Sequence, residues 1–96
     1  MANITIKAFR EAFPVGQEFV AEITNDRIAM PSIGKTTRRR VSACNRTYII
    51  SIILDGERKG EAVHCQLTGT KVELRGSTYI LSTPEGDEFA QWTKQI

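Results

Sequence analysis

Hydrophobic and polar residues alternate with a period of two in several segments of the chain, which is the pattern of strands that bury one face. The segment Gln17–Ile23 alternates in this way and predicts a strand. Five later runs are bounded by turn residues and also predict strands, at roughly 37–44, 46–54, 60–67, 70–75 and 77–83. The sequence therefore predicts an antiparallel meander of five strands, or six with Gln17–Ile23.

Turn residues between the predicted strands allow their register to be tested. A symmetric fold at Asp55–Gly60 places Ile50 opposite Cys65 and Ile52 opposite Val63. Equivalent folds at the other turns keep the same face of the meander apolar. A strand with one buried face needs its core residues on one side. We therefore expect a single interior face, to which this part of the meander contributes Tyr48, Ile50, Ile52, Leu54, Val63, Cys65 and Leu67.

A short helix is predicted near each end of the chain. Over Thr5–Phe13, apolar residues recur three and four positions apart, and Pro14 ends the pattern. After Gly86, the side chain of Asp87 can cap a second helix that carries an apolar stripe on one side. The stripe consists of Phe89, Trp92 and Ile96.

Together these elements predict an α+β protein in which the two helices cover the open ends or one face of a curled antiparallel sheet. Six strands are enough to close into a small barrel. An open sheet covered by the helices is the alternative, and the hydrophobic pattern alone does not distinguish the two. With 96 residues, of which 41% are hydrophobic and 25% charged, the chain is expected to form a single domain over residues 1–96.

Composition also bears on the location of the protein. No apolar run approaches the ~20 residues that span a bilayer, and the first residues lack the pattern of a secretory signal. Cys44 and Cys65 are too few for a disulfide framework and are expected to be free thiols in a reducing compartment. One histidine and two cysteines do not complete a zinc site without carboxylates. We expect a cytoplasmic protein with no membrane association, no metal and no cofactor.

The basic residues are concentrated in the middle of the sequence. Between Arg27 and Leu54 the chain carries six basic residues and no acidic one, whereas the segments before and after each sum to −2. Such asymmetry indicates an anionic partner. In the predicted meander Arg38 and Arg40 point to the outer face. Arg39 lies on the inner side near the end of its strand, and its guanidinium is expected to extend out to solvent.

Arginine binds phosphate groups through paired hydrogen bonds, and a flexible loop beside the cluster suits such contacts. The sequence therefore predicts a small accessory protein that binds DNA or RNA through phosphate groups, with little base specificity. The predicted nucleic-acid-binding residues are Lys35, Arg38, Arg39, Arg40 and Arg46, with Lys71 and Arg27 in support. In its small size the chain resembles accessory and regulatory proteins of bacteria, plasmids and phages.

A protein partner is the alternative interpretation of the same charge pattern. The basic loop of a small regulator or inhibitor would then dock on an acidic surface of another protein. Three isoleucines, Ile49, Ile53 and Ile80, fall on the outer face of the predicted meander. Either a helix covers them, or they form a protein-binding surface such as that of a homodimer.

No group of residues in the sequence predicts an enzyme. Ser51, His64 and Glu73 fall in one row across three predicted strands, but a flat row supplies neither an oxyanion hole nor a strained turn for the nucleophile. Cross-strand polar pairing explains this row better. The triplet Gly34-Lys35-Thr36 resembles the end of a phosphate-binding P-loop, yet Ala29 stands where that motif needs glycine. We interpret the triplet as a coincidental loop.

Overall fold

The computed structural model describes residues 2–25 and 36–95. Within these ranges it contains one helix, α1 (Ile6–Ala12), and eight strands. The strands are β1 (Ala2–Ile4), β2 (Glu18–Ile23), β3 (Thr36–Cys44), β4 (Tyr48–Ile53), β5 (Ala62–Gln66), β6 (Lys71–Arg75), β7 (Thr78–Ser82) and β8 (Glu88–Lys94). The predicted first helix and the six predicted strands are confirmed, with ends that differ by no more than about two residues. No helix in the described ranges is long and apolar enough to cross a lipid bilayer.

All eight strands join one open antiparallel sheet in the order β1-β6-β7-β8-β2-β3-β4-β5. The edge strands β1 and β5 do not pair with each other in the described chain, so the small barrel is wrong and the open sheet is correct. β2 lies inside the sheet and pairs with both β3 and β8. It thereby joins the meander β2–β5 to the second group of strands. The sheet curls enough for residues of β5 and β8 to line one cavity.

The segment predicted as a C-terminal helix is strand β8. Ala90 and Trp92 are buried, while Gln91 and Thr93 alternate with them and are only partly covered. β8 pairs with β7 on one side and with β2 on the other. In so short a segment the apolar spacing fits a helix nearly as well as a strand. Pairing with β7, which precedes it in the chain, and with β2, which is distant in sequence, decides between the alternatives.

The predicted register of β4 is wrong by one residue, and this error exchanges its two faces. Ile49 lies opposite Cys65 and faces the core with 0% exposure, and Ile53 is buried in the same way. Tyr48 and Ile50 lie on the outer face and are half-buried. The hydrophobic pattern could not fix the register because isoleucines occupy both faces of this strand.

Two local features set the register in which β4 pairs with β3. The Oδ1 atom of Asn45 accepts hydrogen bonds from the backbone N–H groups of Thr47 and Tyr48, at 2.9 and 3.0 Å, so the turn is closed before β4 begins. A bulge in β3 between Val41 and Ala43 shifts the pairing of β3 with β4. A symmetric fold at the β3–β4 turn contains neither feature, so it gives a different pairing of β3 with β4.

The isoleucines predicted to form a protein-binding or homodimer surface are not available for one. Ile49 and Ile53 belong to the core, with 0% and 1% exposure, and Ile80 on β7 is 4% exposed. The register of β4, rather than a covering helix or a partner, accounts for the burial of Ile49 and Ile53.

The predicted pairing of β5 with β6 is also wrong. β6 pairs with β7 on one side and with β1 on the other, and β1 is a strand that the sequence pattern does not predict. After β5 the side chain of Leu67 enters the core with 1% exposure. The backbone N–H of Thr70 then donates to the carbonyl of Leu67 at 3.0 Å, which closes the turn into β6. β5 is left as an edge of the sheet.

Helix α1 packs against the inner face of the sheet and fills one end of it. The Oγ1 atom of Thr5 caps the helix by accepting a 3.0 Å hydrogen bond from the backbone N–H of Ala8. Phe9 and Phe13 are fully buried. They join a cluster of aromatic rings whose contacting centroids lie 4.3–5.8 Å apart, formed by Phe9, Phe13, Phe19, Tyr79 and Trp92. Tilted, edge-on and stacked contacts of this kind add to the stabilisation that burial provides.

Candidate functional site

Strand alternation divides the predicted arginine cluster between the two faces of the sheet. Arg38 and Arg40 are exposed on the outer face of β3, whereas Arg39 is 4% exposed on the inner face. The prediction that Arg39 reaches solvent is therefore wrong. Its Cα lies opposite Phe19 of β2 and Ile53 of β4, so the residue has paired strands on both sides and is enclosed by the core.

Arg38 has an acidic neighbour on the outer face. Its Nη2 atom lies 3.4 Å from Oε1 of Glu18, and both side chains are about half exposed. An ion pair exposed to this degree contributes roughly 0–1 kcal/mol and leaves the arginine able to exchange partners. Arg40 forms no ion pair with the residues that the structure describes. The outer face of β3 thus offers two cations and one competing carboxylate.

Arg46 lies in the turn between β3 and β4, where it borders a concavity of about 470 Å³. The other lining residues are Lys7, Arg10 and Glu11 of α1 and Cys44 at the end of β3. We call these five residues the basic concavity. Three cations face one carboxylate there, so an anion in the concavity is attracted.

Lys7 and Arg10 are not among the residues predicted to bind nucleic acid, because the segment that contains them has a negative net charge. Their separation of three positions on a helix places them on one face, and that spacing is the signal in the sequence that points to them. The Nε atom of Arg10 is buried and has no hydrogen-bond partner among the described atoms.

The other predicted residues do not join this site. Lys71 lies on β6, which three strands separate from β3 in the sheet. It borders a different depression, together with Glu73 and Arg75. Arg27 and Lys35 lie outside the described residues, as does most of the triplet that resembles a P-loop.

The inner face of the sheet carries a second site, which no sequence pattern predicts. While α1 fills one end of this face, the other end holds an open cavity of about 410 Å³. We call this cavity the inner pocket. Its rim includes Thr68, Thr70 and Thr83, from the connections that follow β5 and β7. Its apolar walls include Ala21, Ile23, Val63, Leu81, Phe89 and Trp92.

Arg39 is the only arginine or lysine among the described residues that line the inner pocket. Its Nε atom donates a 2.8 Å hydrogen bond to Oγ1 of Thr37, which holds the side chain along the inner face. Burial lowers the pKa of Arg39 from its ordinary value. A guanidinium nevertheless stays protonated in proteins at physiological pH. The pocket therefore contains a fixed positive charge.

This charge has no counterion in the described part of the chain. Arg39 takes part in none of the ion pairs found there. A thiolate at Cys65, which also lines the pocket, would balance it. Burial, however, raises the pKa of Cys65 to about 11, and the positive charge of Arg39 opposes this rise only in part. Near pH 7 Cys65 is a neutral thiol, and no described residue balances the charge of Arg39.

The row of Ser51, His64 and Glu73 predicted from the sequence does not form. Ser51 is buried on the inner face, whereas His64 is exposed on the outer face of β5. Glu73 lies on β6, which does not pair with β5. Across residues 2–25 and 36–95, no three His, Cys, Asp or Glu side chains come together as a candidate metal site.

Comparisons with models of known protein families, with curated proteins and with solved structures find no match to this chain. The function is therefore inferred from the geometry and charge of the two concave sites.

Proposed function

We propose that the protein binds the phosphate groups of a nucleic acid at the basic concavity, with Arg38 and Arg40 extending the contact along the outer face of β3. The observation that supports the proposal is the convergence of Lys7, Arg10 and Arg46, from two separate elements, on one depression. Together they attract an anion, because Glu11 is the only carboxylate among the described residues that line the concavity.

The chemistry of the three cations suits phosphate. Arginine offers several N–H donors in a planar fork that matches two phosphate oxygens, and lysine adds a compact charge. Hydrogen bonds to charged acceptors are the stronger ones, so these cations favour an anion over a neutral ligand.

Contacts of this kind fix the position of a nucleic acid strand without reading its bases. Cys44 lies opposite the core residue Ile49, so the concavity opens on the side of the sheet that carries α1, whereas Arg40 lies on the outer face. A phosphate backbone would reach Arg40 by passing the turn between β3 and β4, where Arg46 is exposed. Tyr48, which the structure turns outward beside His64 at a ring-centroid distance of 5.8 Å, offers an aromatic surface on the outer face. Base stacking on such rings is tolerant of sequence.

Replacing Lys7, Arg10 and Arg46 together by alanine is expected to weaken binding of single-stranded DNA by at least ~10-fold at low salt, because three phosphate contacts are lost. The slope of log affinity against log salt should become less steep by about 2, the value expected for three phosphates on a single strand. Fluorescence anisotropy over a salt titration, with single-stranded DNA, duplex DNA and RNA as probes, measures both quantities.

The matched control replaces Lys71 and Arg75 by alanine, since these cations lie on β6, away from β3. We expect this control to change affinity by less than about twofold, as for charges outside the contact. Arg46→Glu, at an exposed turn position, tests the site without altering α1. The proposal fails if none of the three probes binds at low salt, or if the triple variant binds as the unaltered protein does.

An acidic protein surface is the other partner that the charge pattern predicts. A pull-down from lysate with and without nuclease separates the two. Nuclease treatment removes partners that are held through nucleic acid and leaves a direct protein partner in place. A partner that remains after nuclease treatment but is lost with Arg46→Glu would show that the basic concavity binds a protein rather than a nucleic acid.

A further inference from the structure

The inner pocket combines two properties that are seldom found together in a protein core. Its walls are mainly apolar, yet a charged side chain with 4% exposure lies within it. A buried charge is strongly unfavourable unless it is paired. In the described chain the only partner of the Arg39 side chain is the neutral hydroxyl of Thr37. The described residues therefore leave this charge available to a ligand that supplies a negative group.

The one hydrogen bond that the Arg39 side chain makes with described residues also determines how a partner would bind. Because Nε donates to Thr37, the two terminal nitrogens of the guanidinium are left without a partner in the described residues. Two parallel N–H groups on these nitrogens match the two oxygens of an anionic group. The Thr37 bond holds the fork in place, so little side-chain freedom is lost when a ligand binds.

From this geometry we propose that the inner pocket binds an amphipathic monocarboxylate, with its carboxylate on Arg39 and its apolar body against the walls formed by Leu81, Phe89 and Trp92. This site is separate from the basic concavity and does not depend on phosphate binding there.

The surroundings of Arg39 favour a carboxylate over a phosphate ester. A phosphate carries up to two charges and more acceptor oxygens, and phosphate sites normally gather several cations or backbone N–H groups. No second arginine or lysine lines this pocket within the described residues. One guanidinium balances one carboxylate, and the remaining surface of the ligand meets apolar side chains.

The depth of Arg39 sets the orientation of the ligand. Arg39 is nearly inaccessible, whereas the rim of the pocket carries the threonines at 68, 70 and 83. The charged end of the ligand therefore enters first, and the far end approaches the rim. A volume of about 410 Å³ holds roughly a dozen non-hydrogen atoms at about 30 Å³ each. Decanoate is a probe of this size.

Trp92 makes the pocket directly observable, since it is the only tryptophan of the chain and lines the cavity. Titration with decanoate should change its fluorescence saturably. The comparison ligands keep the ten-carbon chain and change the charge of the head group. Decanol is neutral, and decyltrimethylammonium is positively charged. Decanoate is expected to bind at least ~10-fold more tightly than either, the effect of a hydrogen-bonded charge pair in a water-poor site.

Arg39→Met keeps an unbranched apolar stem and removes the charged end of the guanidinium. It is expected to weaken decanoate binding by ~10- to 100-fold while decanol binding stays the same or becomes tighter. Arg40→Met is the matched control, because the same change is made one residue away on the opposite face. It should leave both affinities within about twofold, as for an exposed residue outside the site.

Thiol alkylation gives a second measurement on the unaltered protein. Cys65 lines the inner pocket, and Cys44 borders the basic concavity instead. Saturating decanoate should slow alkylation of Cys65 and leave that of Cys44 unchanged, as peptide mass spectrometry can show. The proposal is overturned if decanoate, decanol and decyltrimethylammonium bind alike, if decanoate does not bind, or if Arg39→Met and Arg40→Met have equal effects. Equal protection of the two cysteines would also exclude it.

Discussion

Replacing Phe13 by alanine should lower the free energy of unfolding by about 3–5 kcal/mol, the usual cost of removing a large aromatic side chain from a core. Phe13 has 0% exposure. The centroid of its ring lies 5.0–5.3 Å from the ring centroids of four neighbours, Phe9, Phe19, Tyr79 and Trp92. It connects α1 to strands from both halves of the sheet, so the cavity left behind cannot close by the movement of one element. Urea denaturation followed by circular dichroism measures the loss.

Val15 provides the control for this substitution. It lies two residues further along the chain and is 65% exposed. Val15→Ala is expected to change the free energy of unfolding by less than about 0.5 kcal/mol. A loss below about 1 kcal/mol for Phe13→Ala would mean that the helix does not fill the inner face, because such a loss is typical of partly exposed side chains.

Replacing Arg39 by methionine should raise the free energy of unfolding of the ligand-free protein by about 1–3 kcal/mol. Substitutions in a core normally lower the free energy of unfolding, so an increase is unusual. The increase is expected because the buried guanidinium has a neutral partner, Thr37, and no described counterion. Methionine fills similar space with apolar atoms and removes the cost of keeping the charge away from water.

Arg40→Met again serves as control and should change stability by less than about 0.5 kcal/mol, since Arg40 is exposed. Decanoate should stabilise the unaltered protein against unfolding and have little effect on Arg39→Met, because only the folded state binds it. A destabilisation of Arg39→Met by more than about 1 kcal/mol would show that the guanidinium is already balanced in the free protein.

The elements of the fold could be predicted from the sequence because their signals are local. Period-two alternation marked the six strands, and helical spacing with Pro14 behind it marked α1. β8 was misassigned because its short apolar stripe fits both periods. The faces of β4 were exchanged because Ile49, Ile50, Ile52 and Ile53 leave no polar side to identify. The pairing of β6 with β1, rather than with β5, depends on contacts between residues far apart in the chain, which no local pattern specifies.

The candidate sites were predictable only in part. Charge segregation identified Arg38, Arg40 and Arg46 as exposed cations, and the structure places all three at the surface. Alternation along β3 also placed Arg39 on the inner side, but the length of its side chain suggested an exit to solvent that the paired strands do not allow. No sequence pattern predicts the inner pocket, because the pocket forms where the whole sheet curls around a helix that fills only one end of its inner face.

Arginine Nε–H signals in ¹H–¹⁵N NMR spectra test most directly whether Arg39 is enclosed in the sheet and faces the pocket. The hydrogen bond to Thr37 and the 4% exposure of Arg39 predict an Arg39 Nε–H that exchanges with water far more slowly than those of Arg38 and Arg40. Addition of decanoate should shift this signal and leave the other two in place. Exchange as fast as that of Arg38 and Arg40, with no response to decanoate, would contradict the account.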